Sequence, residues 1–243
     1  MAYMKHVAVI QHTHSEWLGH IEDHLEGRGI RFSYFRPFAT GGGIPELATL
    51  GDGLILLGGG PWGAASKDRL LPTLDEEVTL TRACLMYEKP VIGFGLGSQI
   101  LSLAAEGSAV ETPLTFDVGE ARRTRDDALG GLLPERFPNV IYMRDRPAPP
   151  DYADIVAKDA EDRVAVFQIG TNAFGFAGHP GLRRAMVEDL IMEFDDIPND
   201  PGPQLAALTD LIGPIEDALV PIMTGLVRAA GWMPATDSDL ASK

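Results

Sequence analysis

The segment Pro90-Val91-Ile92-Gly93-Phe94-Gly95-Leu96-Gly97-Ser98-Gln99 joins a short apolar strand to a helix through glycines at alternate positions. An apolar run without alternation reads as a strand buried on both faces. Glycines directly after it permit a sharp turn and close approach of backbone to whatever lies above it. Upstream, residues 74–87 carry helical periodicity and are stopped by Lys89-Pro90. Before that helix, Asp52-Gly53-Leu54-Ile55-Leu56-Leu57 forms another apolar strand running into Gly58-Gly59-Gly60-Pro61.

Working outward, His6–Gln11 and Ile30–Phe35 read as strands flanking a helix with apolar residues at 17, 18, 21 and 25. Strand and helix therefore alternate from residue 6 to residue 105, which implies a parallel sheet built from βαβ units. From Val110 to Ile169 the pattern changes. Short β-rich runs at 139–142, 155–157 and 163–167 lie between turn-rich loops and suggest antiparallel additions at a sheet edge. Ala173–Ala177 is a last strand, ending at Gly178-His179-Pro180-Gly181, and a helix follows to Phe194. After the acidic, proline-rich stretch 195–203 comes a helical tail in which Pro214 and Pro221 should break or kink the helix.

Composition narrows the function. The 243 residues hold 20 Lys and Arg against 35 Asp and Glu, a formal charge of −15, with 45% hydrophobic residues. That is globular rather than disordered, and the negative charge disfavours nucleic acid and anionic membrane as partners. The single cysteine, Cys84, excludes an intrachain disulfide and reads as a small core residue on the helix before the turn. With neither a signal-peptide pattern nor an apolar run of membrane-spanning length, a cytoplasmic protein is expected.

The glycine turn supports two readings from its residues. A dinucleotide loop would need Gly or Ala where Ser98 stands, and no basic residue lies nearby, so the pattern is a near miss. A nucleophile elbow would present a side chain at its centre, and that centre is Gly95. Ser98, three positions on, reads as a capping or surface hydroxyl.

The same turn resembles the nucleophile segment of class I glutamine amidotransferases, the glutaminase type found in GMP synthase, whose pattern is Pro-Val-x-Gly-x-Cys-x-Gly-x-Gln. Leu56–Pro61 is similar to that family's oxyanion strand, and Phe174–Gly181 to its segment bearing the basic histidine. Asp117-Val118-Gly119 falls where relatives bind the glutamine. The resemblance runs from about Lys5 to Phe194. It implies a flavodoxin-like α/β fold with a mainly parallel sheet, helices on both faces, antiparallel edge additions and a helical C-terminal tail. Residues 1–200 would form the amidotransferase-like domain, and 201–243 an extension packed on it or on a partner. By resemblance, Gly95 stands in the position of the nucleophilic cysteine, His179 is a remnant base, and Gly181 replaces the triad glutamate. Gly59, Gly60, Gly95, Leu96, Gln99, Asp117 and Gly119 would bind ligand, with no metal and no cofactor.

Three functions remain open on these residues: a degenerate homologue that binds a ligand or partner, an enzyme reusing the pocket with His179 as acid or base, and an ordinary amidotransferase. The resemblance brings a small amide or amino-acid ligand and a synthetase or acceptor subunit as partners. The apolar tail from Gln204 to Trp232 adds the expectation of a homo-oligomer. Five of the six histidines lie within the first 24 residues, His20 and His24 at i, i+4 spacing. Without a zinc motif they read as solvated or loop-ordering residues. Arg122-Arg123-Thr124-Arg125 is the one basic cluster and reads as a surface feature.

Overall fold

The computed structural model describes residues 4–233. Four parallel pairings form one half of a nine-stranded sheet: β2 (Arg31–Phe35), β1 (His6–Ile10), β3 (Gly53–Leu56), β4 (Val91–Phe94) and β11 (Ala173–Phe176). The other half continues antiparallel through β10 (Val164–Ile169), β9 (Asp154–Asp159), β6 (Thr115–Arg123) and β7 (Arg136–Met143). A two-stranded ribbon, β5 (Ser108–Val110) with β8 (Arg146–Ala148), stands apart.

Successive residues of a strand point to opposite faces, and here both faces are covered. Val7, Val9, Ile55 and Phe94 pack beneath α1 (His20–Glu26) and α6 (Ile212–Ala229). Ala8, Ile10, Leu54 and Leu56 pack beneath α2 (Leu74–Met86) and α3 (Leu96–Ala104). That is why these strands are continuously apolar. α4 (Arg184–Glu193) and α5 (Gly202–Asp210) cover Phe116, Val140 and Tyr142 of β6 and β7. Cys84 is fully buried, and burial pushes its thiol up to about 11, leaving it an inert core residue.

The helical tail is split at Leu211 into α5 and α6, three residues before Pro214, but Pro221 lies inside α6 without ending it, which corrects half of the expectation. Pro214 occupies the first turn, where a backbone N–H has no intrahelical partner, and Pro221 frees the carbonyl of Asp217, an exposed residue. α6 lays an apolar stripe on the domain, flanked by the buried Gly225 and Val227. Ile215, Leu219, Ile222, Met223 and Leu226 recur at helical spacing and are at most 3% exposed. The last turn brings Trp232 against Gly53, with its indole N–H donating to the Asp52 carbonyl at 3.1 Å. No helix among the described residues is long and apolar enough to cross a membrane.

Candidate functional site

The ends of β3, β4 and β11 meet at one edge of the sheet, the position where parallel α/β sheets present ligand sites. Gly95 donates its N–H to the Phe176 carbonyl at 2.9 Å, and Gly97 to Leu57 at 3.0 Å. A Cβ on Gly97 would overlap the Leu56 carbonyl, so α3 starts directly on β3. Gly95 itself has φ 54 and ψ −117, a left-handed conformation that glycine adopts freely. Its missing side chain would point into comparatively open space, with Gly58 Cα the nearest atom at 3.3 Å. The backbone thus has the strained form of a nucleophile elbow, with nothing on it. Ser98 is fully buried, and its hydroxyl donates to the Gly95 carbonyl at 2.6 Å. It braces the turn and is not a surface group.

His179 lies beside this turn, its ring 5.2 Å from that of Phe94. Both ring nitrogens of this expected remnant base are engaged. Nδ1 accepts the Gly181 N–H at 3.2 Å, which leaves the proton on Nε2, and Nε2 donates to the Trp17 carbonyl at 3.0 Å. Burial holds its pKa down at about 4, so the ring is neutral and both nitrogens are used.

The other candidate residues divide. Gly59 and Gly60 lie at the end of β3 beside the turn, and a Cβ on Gly59 would overlap Leu96. Gln99 is fully buried and closes on the protein itself. Its carbonyl accepts from Ala64 N–H and its amide donates to the Arg144 carbonyl, which replaces a ligand contact with a structural clasp. Asp117 and Gly119 are on β6, whereas the His179 N–H bonds to Val140 on β7. They therefore stand across β7 from the histidine. Asp117 faces Arg163 at 3.7 Å. In the basic cluster, Arg123 and Arg125 are paired with Asp126, Asp127 and Asp154 at the surface.

The residues that fill the site come from Gln11–Trp17, the segment that follows β1. Glu16 is 3% exposed, and its carboxylate accepts the Gly60 N–H at 2.5 Å. A Cβ on Gly58 would overlap that carboxylate. His12 bonds to the Gly58 carbonyl at 2.9 Å and to Glu77 at 2.8 Å, both side chains wholly buried. Burial alone would lower the His12 pKa, but the Glu77 charge and hydrogen bond more than offset it, and the net direction is upward. Burial raises Glu16 to about 7, against the opposing pull of the Gly60 N–H and His12. A run of polar residues directly after a buried strand, at the ligand edge of the sheet, was the available signal.

Glu16 and His179 oppose one another in pH dependence. Glu16 is raised from 4.5 to about 7, so the folded state holds the extra proton and stability falls as pH rises between those values. His179 is lowered from 6.5 to about 4, so stability falls as pH drops through that window. Each effect is on the order of 3 kcal/mol, and between 4.5 and 6.5 they largely cancel. Glu16→Gln should expose the histidine. Compared with the wild type, its unfolding free energy in urea should fall by on the order of 3 kcal/mol more between pH 7 and pH 4.5. Parallel pH profiles for the two proteins would refute this balance.

No family model matches the sequence, and no curated protein matches it either. Solved structures do match. A glutamine amidotransferase from Methylobacillus flagellatus superposes with a TM-score of 0.78 at 21% identity, covering 93% of this chain and 96% of that one. A glutamine amidotransferase from Thermotoga maritima gives the same score and identity over 94% and 99%. The fold is that of the class I glutamine amidotransferases.

Proposed function

We propose that this chain is a non-hydrolysing homologue on the amidotransferase fold, a pseudoenzyme that works in the cytoplasm by binding. One observation carries the reading. The residue at the strained centre of the strand-to-helix turn is Gly95, so no thiolate is available to attack an amide carbonyl. Two others support it. His179 has no free ring nitrogen, and the N–H of Gly60 is already bonded to Glu16. The engaged nitrogens also weigh against a second chemistry that uses His179 as acid or base. The occupants proposed for the binding role are a small amide or amino-acid ligand, a synthetase or acceptor subunit, or a second copy of the chain.

Ammonia release from glutamine, measured against a heat-inactivated control, should be at background. Gly95→Cys should fold with a loss of about 1–3 kcal/mol, because a side chain at that φ is strained, and should gain no activity. Turnover above about 1 per second by the wild type would overturn the reading.

A further inference from the structure

We infer that the Gly60 N–H forms a carboxyl-binding niche that the protein fills with its own Glu16, so that the segment Thr13–Trp17 is a strap closed over the cleft. This rests on the non-hydrolysing reading and adds what the site accepts.

The niche is built from several elements. Gly60, at φ 54, turns its N–H onto Glu16 Oε2. A Cβ on Gly60 would meet Phe194, Leu190 and Thr13 at 3.0, 3.3 and 3.3 Å. The Tyr142 hydroxyl is buried without a hydrogen-bond partner and lies within electrostatic reach of Glu16 and Asp196. The buried Gly60 donor and a carboxylate set against Gly58 form a polar cell beside the buried His12–Glu77 pair, with the unpartnered Tyr142 hydroxyl within electrostatic reach.

The strap is fastened at each end. Glu193 at the end of α4 accepts from the His14 N–H, the Ser15 N–H and the Ser15 hydroxyl, at 3.0, 3.0 and 2.6 Å. Thr13 Oγ1 accepts the Glu16 N–H at 3.0 Å. At the far end the Trp17 carbonyl accepts from His179. Glu16 is thus delivered to Gly60 on a loop fixed on both sides. The cell that receives a carboxylate oxygen from within suits a short monocarboxylate from without, by the same N–H to oxygen bond.

Glu16→Ala should empty the niche. Acetate should then raise the Tm of the variant saturably, by roughly 5 °C at about 100-fold above Kd, at constant ionic strength. It should leave the wild type and Glu16→Gln unmoved, since both keep an oxygen on Gly60. A folded Glu16→Ala protein without an acetate-dependent Tm would overturn the inference. If that variant fails to fold, the Gly60 amide proton decides. In the wild type its NMR shift should titrate near neutrality as Glu16 ionises, and in Glu16→Gln this titration should vanish. The groups facing Glu16 are His12 just before the strap, Glu193 from α4 and Tyr142 from β7. All three remain in Glu16→Gln, so a titration that persists there belongs to them and refutes the niche. Ammonia release is a separate readout: a wild type that hydrolyses glutamine defeats the functional reading whatever acetate does.

Discussion

Deleting residues 204–243 should abolish the native fold rather than release a smaller domain. The lost helix α6 contributes Ile215, Leu219, Ile222, Met223, Leu226 and Val227, none more than 3% exposed, and the turn after it contributes Trp232. Burial of each large apolar side chain is worth about 1.5–3 kcal/mol. Seven of them together exceed about 10 kcal/mol, comparable with the entire 5–15 kcal/mol that separates a folded domain from its unfolded chain. All of these except Ile215, which packs with α4 and α5, lie in the same cluster as Val7, Ile55 and Phe94 of the central strands. Removing them exposes one face of the sheet to water.

Specific polar ties would go with them. Gln204 accepts the Val118 N–H at 3.0 Å, and Thr224 accepts from Arg28 of the loop after α1 at 3.1 Å. The truncated protein should accumulate as aggregate or, if recovered, show no cooperative thermal transition. A soluble truncated monomer that melts cooperatively near the full-length temperature would place the tail outside the domain's core. It would also restore the tail to candidacy as a partner-binding element.

The parallel half of the fold was legible because its strands are buried on both faces, and Val91–Phe94 or Leu54–Leu57 cannot be exposed without cost. The runs at 139–142, 155–157 and 163–167 were legible as antiparallel additions because they are short β-rich stretches between turn-rich loops. β6 was not, because Asp117, Gly119, Glu120, Arg122 and Arg123 lack β-forming character, and pairing with β7 along its length and with β9 at its end makes it a strand. Pro221 misled because propensity is local, while the exposure of Asp217, whose carbonyl it frees, is a property of the packed chain. At the site, the glycine turn and His179 were legible as landmarks. The tautomer of His179 was not, since it depends on the Trp17 carbonyl, a backbone group 162 residues away. Glu16 was hidden differently. Nothing in its spacing announces a partner, and its role exists only because β3 ends where the segment after β1 crosses.

The two glycines that the family resemblance sets against the nucleophile and the acid are unequal, and Gly181→Glu should be far more damaging than Gly95→Cys. At Gly95 a Cβ would meet Gly58 Cα alone, at 3.3 Å, and the cost is backbone strain with a small local shift. At Gly181 a Cβ would lie 2.7 Å from Ile21 Cγ1 and 3.1 Å from the Ile21 nitrogen, with Ile21 1% exposed. The Gly181 carbonyl also accepts the His20 N–H at 2.8 Å, so α1 docks directly on this residue. Gly19 is fitted from the other side: at φ 61, its own Cβ would overlap the Gly181 carbonyl. A glutamate introduced here would overpack a tight contact, about 1–3 kcal/mol, and bury a carboxylate against isoleucine, several kcal/mol more. A total near 4 kcal/mol or above corresponds to a Tm drop of roughly 10 °C, measurable by calorimetry. Gly181→Ala should show the packing part alone. A Gly181→Glu protein within 1 °C of the wild type would mean that α1 yields easily and that the acid position is still open. If instead it collapses, Gly95→Cys combined with Gly181→Glu cannot rebuild a triad, because the space for its third member has been given to the start of α1.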